Sequence, residues 1–176
     1  MTRPLAVLDS SILILLLTEK ADDSPEEVEQ ERRRQLVKER VREMQPRFRW
    51  AIPAVVVAEL GRDLPADMAV RSVGAVLGRF RVLPLTYSAG CLASRISAKA
   101  LKERRAGSER GAIKYDALIC ATAIDYGADC IVTENPRDFA KHVAELGASL
   151  EIVIPSAVPA TGQLHLLHQT RKPPGQ

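Results

Sequence analysis

The chain has 176 residues, of which 46 % are hydrophobic, 27 % charged and only seven aromatic. That length and balance predict one ordinary folded domain, or one domain with an appendage, and exclude a disordered or fibrous chain. A net charge of +3 with so few aromatic rings argues against binding by base stacking, so any RNA contact is expected to run through phosphates.

In chain order, PLAVL (4–8) reads as a buried strand and SSILILLLTEK (10–20) as a helix buried on most sides. The apolar run inside that helix is far shorter than the roughly 20 residues a membrane span requires, and no small-residue cleavage site follows it, so a cytoplasmic protein is expected. Ser24, Pro25 and Glu27 form a capping box that opens a charged helix over 24–45, with a narrow apolar stripe of Val28, Leu36, Val37, Val41 and Met44. Such a helix lies on the domain surface or pairs with a partner. WAIP (50–53) is a short strand, and Pro53 and Gly61 bound the helix that carries Glu59. A further helix is predicted over about 65–78, then the strand RFRVLPL, then a long helix capped by Thr86. Glycines 107 and 111 bracket a loop before a helix over about 114–126. The strand CIVT, a helix over 136–146 ended by Gly147, and the strand LEIVIP complete the pattern. Strands written as continuous apolar runs and alternating with helices imply a parallel sheet covered on both faces, an α/β/α sandwich.

Ligands of such folds bind beyond the carboxyl ends of the strands. Four acids fall at strand-to-helix transitions: Asp9, Glu59, Asp116 and Asp138. Each has a plain explanation. Asp9 can cap the helix starting at Ser10; Asn135, Pro136 and Asp138 can be a cap, a first-turn proline and a first-turn acid; Asp116 can sit in a first turn; Glu59 can face solvent. Capping does not explain why Glu59 interrupts VVVAEL or why Asp116 lies against ALICATAI. Carboxylates about 5 Å apart at an effective dielectric near 20 repel by roughly 3 kcal/mol per pair, and a divalent cation removes the conflict. Oxygen ligands without histidine or cysteine point to Mg2+ or Mn2+. On this reasoning, changing Asp9 or Asp116 to Asn is expected to raise the melting temperature of metal-free protein.

Basic residues cluster at Arg32–Arg34, at Arg47 and Arg49, and from Lys99 to Lys114, the last group leading into Asp116. Arg105, Arg110 and Lys114 are therefore candidate phosphate contacts beside an acidic pocket, although a solvated helix face is the plainer account of the Arg32 region. Cys91, Cys120 and Cys130 form no CxxC pair, and His165 and His168 lack a third ligand nearby.

The run YDALICATAIDYGADCIVTENPRDF, with Asp9 in LDSS and Glu59 in VVAEL, closely resembles the PIN-domain nucleases, especially VapC-type toxin ribonucleases. The resemblance covers most of residues 5–155. It implies an acid cluster that binds magnesium or manganese and hydrolyses RNA phosphodiester bonds, leaving a 5′-phosphate. Asp9, Glu59 and Asp116 match its three core acids and Asp138 the more variable fourth. Ser10 matches the hydroxyl residue that orients the first acid, and Thr133 and Asn135 belong to the T-x-N-x-x-D-F turn. Glu134 does not match the acid pattern. A toxin of this kind implies a cognate antitoxin and a homodimer; the alternatives are a non-catalytic PIN-like interaction protein and a DNA-directed nuclease. The expected organisation is a PIN-like domain over 1–155 with the 24–45 helix as an insertion, and a partly flexible tail over 156–176.

Overall fold

The fold is that of a computed structural model, whose described residues are 2–18, 22, 24–62, 74, 78–102 and 110–157, the side chains of 98–102 and 110–114 excepted. Five strands form one parallel sheet: β1 (Leu5–Leu8), β2 (Arg49–Pro53), β3 (Arg81–Leu83), β4 (Cys130–Val132) and β5 (Glu151–Val153), in the order β3-β2-β1-β4-β5. Six helices are described: α1 (Ser10–Leu17), α2 (Pro25–Met44), α3 (Ala54–Arg62), α4 (Tyr87–Lys102), α5 (Arg110–Asp125) and α6 (Pro136–Leu146), with a 3-10 turn at Pro155–Ala157. Right-handed crossovers in that strand order put the helices between β1 and β3 on one face and those between β3 and β5 on the other. The result is the expected α/β/α sandwich.

β1 and β4 are buried along their whole length, which is why LAVL and CIV carry no polar alternation. Leu8 pairs with Val132, so the residues that follow, Asp9 and Thr133, leave the sheet side by side. That is where the strand order reverses, the crevice position in open parallel sheets. Ile12 and Leu13 from α1, Ile52 from β2 and Phe139 from α6 fill the core beneath it.

The structure departs from the sequence reading in four places. α1 stops at Leu17, with Thr18 as its cap. It buries only Ser10, Ile12 and Leu13, leaving Ile14 exposed, so it is far less enclosed than its composition suggests. The buried stripe of α2 is Arg34, Val37, Arg40, Val41 and Met44, while Val28 is 51 % exposed. Arg34 can sit inward because Glu27 and Glu31 of its own helix take its guanidinium. Finally, α5 begins at Arg110, so Gly111 lies inside a helix and not in a loop. The helix predicted over 65–78 falls outside the described residues except for Gly74, which is helical, and Gly78, which already lies in a turn; the tail from 158 on is likewise outside them.

Gly147 ends α6 in the left-handed region at φ 62, as its place after a periodic run predicts. Burial pushes the thiols of Cys120 and Cys130 up to about 12, in keeping with small hydrophobes rather than nucleophiles or metal ligands. No helix among the described residues is long and apolar enough to cross a membrane.

Candidate acidic site at the carboxyl ends of the central strands

Asp9 is the N-cap of α1, and its side chain does more than cap. Oδ1 accepts from the Ser10 backbone N–H at 2.7 Å and from Ser10 Oγ at 3.2 Å. Oδ2 accepts from Ser11 Oγ at 2.7 Å and from Thr133 Oγ1 at 2.8 Å. Four donors match the lone-pair capacity of a carboxylate, which explains how Asp9 can be only 2 % exposed.

The loop after β4 supplies the other half of this arrangement. Thr133, fully buried, donates to Asp9 and accepts from the Asn135 N–H at 2.9 Å. Ser11 Oγ accepts from the Glu134 N–H at 3.1 Å. Asn135 occupies the N-cap position of α6 but makes no side-chain cap; its Nδ2 instead donates to Asp138 Oδ2 at 3.1 Å. Asp138 is exposed while the next residue, Phe139, is completely buried, so core packing fixes the turn from which the carboxylate projects.

Asp116 lies nearly two turns into α5. The first-turn dipole account therefore does not apply to it, since that stabilisation fades beyond the first turn. Its carboxyl is pushed from 3.8 up to about 7, first by burial and then by the negative charges of Asp9, Asp138 and Glu59 in that order. One side chain thus feels the three other acids, contributed by β1–α1, α6 and α3. Beside them, Arg62, one turn beyond Glu59, lies over the Tyr115 ring at 5.7 Å.

Among the described residues, no three His, Cys, Asp or Glu side chains are arranged to hold a metal ion. The donor chemistry nevertheless fits a hard cation: all four groups are carboxylates, and one is driven towards protonation by burial and by its neighbours. Ser10, Thr133 and Asn135 all contact this network. Arg105 lies outside the described residues, and Arg110 and Lys114 sit on α5 where side chains are not described.

Two participants escaped the sequence reading. Ser11, the second serine of LDSS, holds Asp9 Oδ2; any hydroxyl within the first turn after the acid was a candidate. Glu134, adjacent to the pocket in sequence, turns its carboxylate to Arg33 and Ser156, a long-range pairing with no local signature.

A PIN domain family model matches residues 6–146. Among solved structures, VapBC-1 from nontypeable Haemophilus influenzae superposes with a TM-score of 0.59 at 18% identity, covering 86% of this chain and 98% of that one. DNA-bound VapBC from Salmonella typhimurium gives 0.55 at 20% identity, covering 88% and 99%. VapBC2 from Rickettsia felis, bound to a DNA fragment from its promoter, gives 0.55 at 16% identity, covering 84% and 98%. No curated protein sequence matches. At these identities the structural likeness speaks for the fold, and the family model spans most of the sequence, including all four acids: the chain belongs to the PIN domain family.

Proposed function

We propose that this protein is a magnesium- or manganese-dependent ribonuclease acting as the toxin of a toxin–antitoxin pair. The observation that carries the reading is Asp116, whose carboxyl is raised to about 7 because burial and three further acids act on it together. Such mutual repulsion is a standing cost unless a cation relieves it, and perturbed carboxylates in a crevice mark functional sites.

Asp116, Asp138 and Glu59 would hold the ion, with Asp9 joining them as one of its four hydrogen bonds yields. When bound, a divalent cation supplies a more acidic water and offsets charge on the phosphate and the departing oxygen. The chain's own residues do the positioning. Ser10, Ser11 and Thr133 fix the direction of both Asp9 oxygens, and Asn135 steers Asp138. Arg105, Arg110 and Lys114 are the candidates for neighbouring phosphates, holding the backbone without reading bases. The VapBC relatives in fold motivate a partner protein for this chain too, and with it a cytoplasmic setting and a homodimer.

The test is digestion of a mixed RNA and, side by side, single- and double-stranded DNA, with Mn2+ or with chelator. RNA cleavage that needs the metal and disappears in Asp116→Asn, with the fold retained, is the expected result; metal-independent cleavage or an active Asp116→Asn protein overturns it. The absence of a ready three-ligand arrangement among the described residues favours a second reading, a non-catalytic PIN-like interaction protein. That reading predicts no stabilisation by millimolar Mn2+ and no cleavage of either nucleic acid.

A further inference from the structure

Glu134 stands next to the acid pocket, yet its carboxylate is spent on an outward contact. Oε2 accepts from Arg33 Nε at 3.0 Å, from Arg33 Nη2 at 2.7 Å and from Ser156 Oγ at 2.6 Å. Oε1 accepts from the Ser156 N–H at 3.0 Å. The side chain of Glu134 is only 4 % exposed, whereas that of Arg33 is 49 % exposed. Charge-assisted bonds of this kind are the strong ones, and here three elements distant in sequence meet on one carboxylate.

The backbone of the same residue faces inward. Its N–H donates to Ser11 Oγ, which donates to Asp9 Oδ2. Its neighbours carry the rest of the pocket's orientation: Thr133 bonds Asp9, and Asn135 bonds Asp138. We infer that Glu134 is a positioning residue through which Arg33 of α2 and the Ser156 turn set the geometry of Asp9 and Asp138. The inference rests on the reading of those acids as a cation site. It also assigns a role to the long charged helix: α2 anchors the loop after β4 from outside. An open groove lined by Glu29, Gln30, Arg32, Arg33, Leu36 and Ser156 runs along this anchor, and none of the four acids lines it. Arg33 is thus reachable from solvent without passing through the pocket.

Groups that orient metal ligands typically change metal affinity or activity by about 10- to 100-fold when removed. Arg33→Ala, Glu134→Gln and Glu134→Ala should therefore weaken Mn2+ binding, read by isothermal titration calorimetry, by about tenfold or more. RNA cleavage should lose kcat with KM little changed, because the substrate's own contacts are untouched. Guanidinium at tens of millimolar should restore part of the loss in Arg33→Ala and none in Glu134→Ala, a pattern that general destabilisation does not produce. If Glu134→Ala fails to fold, Arg33→Ala, which trims a half-exposed side chain, carries the test. Wild-type Mn2+ affinity and kcat in both Arg33→Ala and Glu134→Gln overturn the inference while leaving the cation site standing. A wild-type protein that binds no Mn2+ overturns both.

Discussion

Replacing Asp116 by asparagine should stabilise the metal-free protein by an amount that grows with pH. The folded chain holds the Asp116 proton up to about 7, against 3.8 for the unperturbed group. At about 1.36 kcal/mol per pH unit this gap bounds the effect near 4 kcal/mol. Asp116 is only partly buried, so solvent screening brings the working figure to about 1–2 kcal/mol. Because the folded state binds this proton more tightly than the unfolded state, stability falls as pH rises from about 4 to about 7 and is level above that. The asparagine variant lacks this contribution.

Other groups titrate in the same window. His142 is held below its usual range by burial, with Glu145 pulling the other way, and it gives a slope of opposite sign up to its unfolded value. Glu151, raised by burial, gives a slope of the same sign as Asp116. Both are present in either protein, so the difference between the two isolates residue 116. Urea denaturation in chelator from pH 4 to 8 should show the variant gaining on wild type by about 1–2 kcal/mol, or roughly 2–8 °C in Tm for a domain of this size. A difference that stays constant or shrinks as pH rises would refute the proposed convergence of charge on Asp116.

Adding Mn2+ should reverse that order: at 100 times its dissociation constant the ion stabilises wild type by about 2.7 kcal/mol, and Asp116→Asn should gain much less in the same thermal melt. Thr133→Val should cost about 1–3 kcal/mol in urea titration, because it takes a donor from buried Asp9 and an acceptor from the Asn135 N–H. Phe139→Ala, at a completely buried site, should cost about 3–5 kcal/mol by the same measurement, and its loss of activity should exceed that of an equally destabilising substitution far from Asp138.

Much of the fold was legible because its signals are local. The β1 and β4 runs are apolar on both faces, Thr86 caps α4 through its hydroxyl, and Gly147 sits where a helix needs a left-handed residue. The positions of Asp9 and the Asp138 turn were legible for a related reason: in a parallel sheet, residues past the strand ends share a crevice whatever their separation in sequence, whereas Glu59 and Asp116 approach it from inside α3 and α5. What the sequence concealed depends on long-range pairing. Arg33 belongs to a basic run that reads as a solvated face, yet it bonds Glu134, 101 residues away. Arg34 and Arg40 are buried in α2, where hydropathy puts Val28 and Leu36, because neighbouring glutamates neutralise them and free them to pack. The start of α5 was misplaced because Gly111 reads as a breaker, whereas the helix continues through it.

The structure also separates two acids that repulsion alone would treat alike. Asp116 is pushed towards its neutral form, so an amide in its place relieves strain. Asp9 instead accepts four hydrogen bonds, and two of its donors are already engaged: Ser11 Oγ accepts from the Glu134 N–H and Thr133 Oγ1 from the Asn135 N–H. In Asp9→Asn the side-chain amide could accept at one end only. Either the two hydroxyl protons or the Ser10 donors would then lose their partner in a buried place, a loss of about 1–3 kcal/mol. Asp9→Asn should therefore lower the metal-free melting temperature while Asp116→Asn raises it, although both should end metal-dependent cleavage. Equal rises in the two variants would mean that the shared field of the acids outweighs the hydrogen bonds holding Asp9, and the ordered cradle described here would not be what positions it.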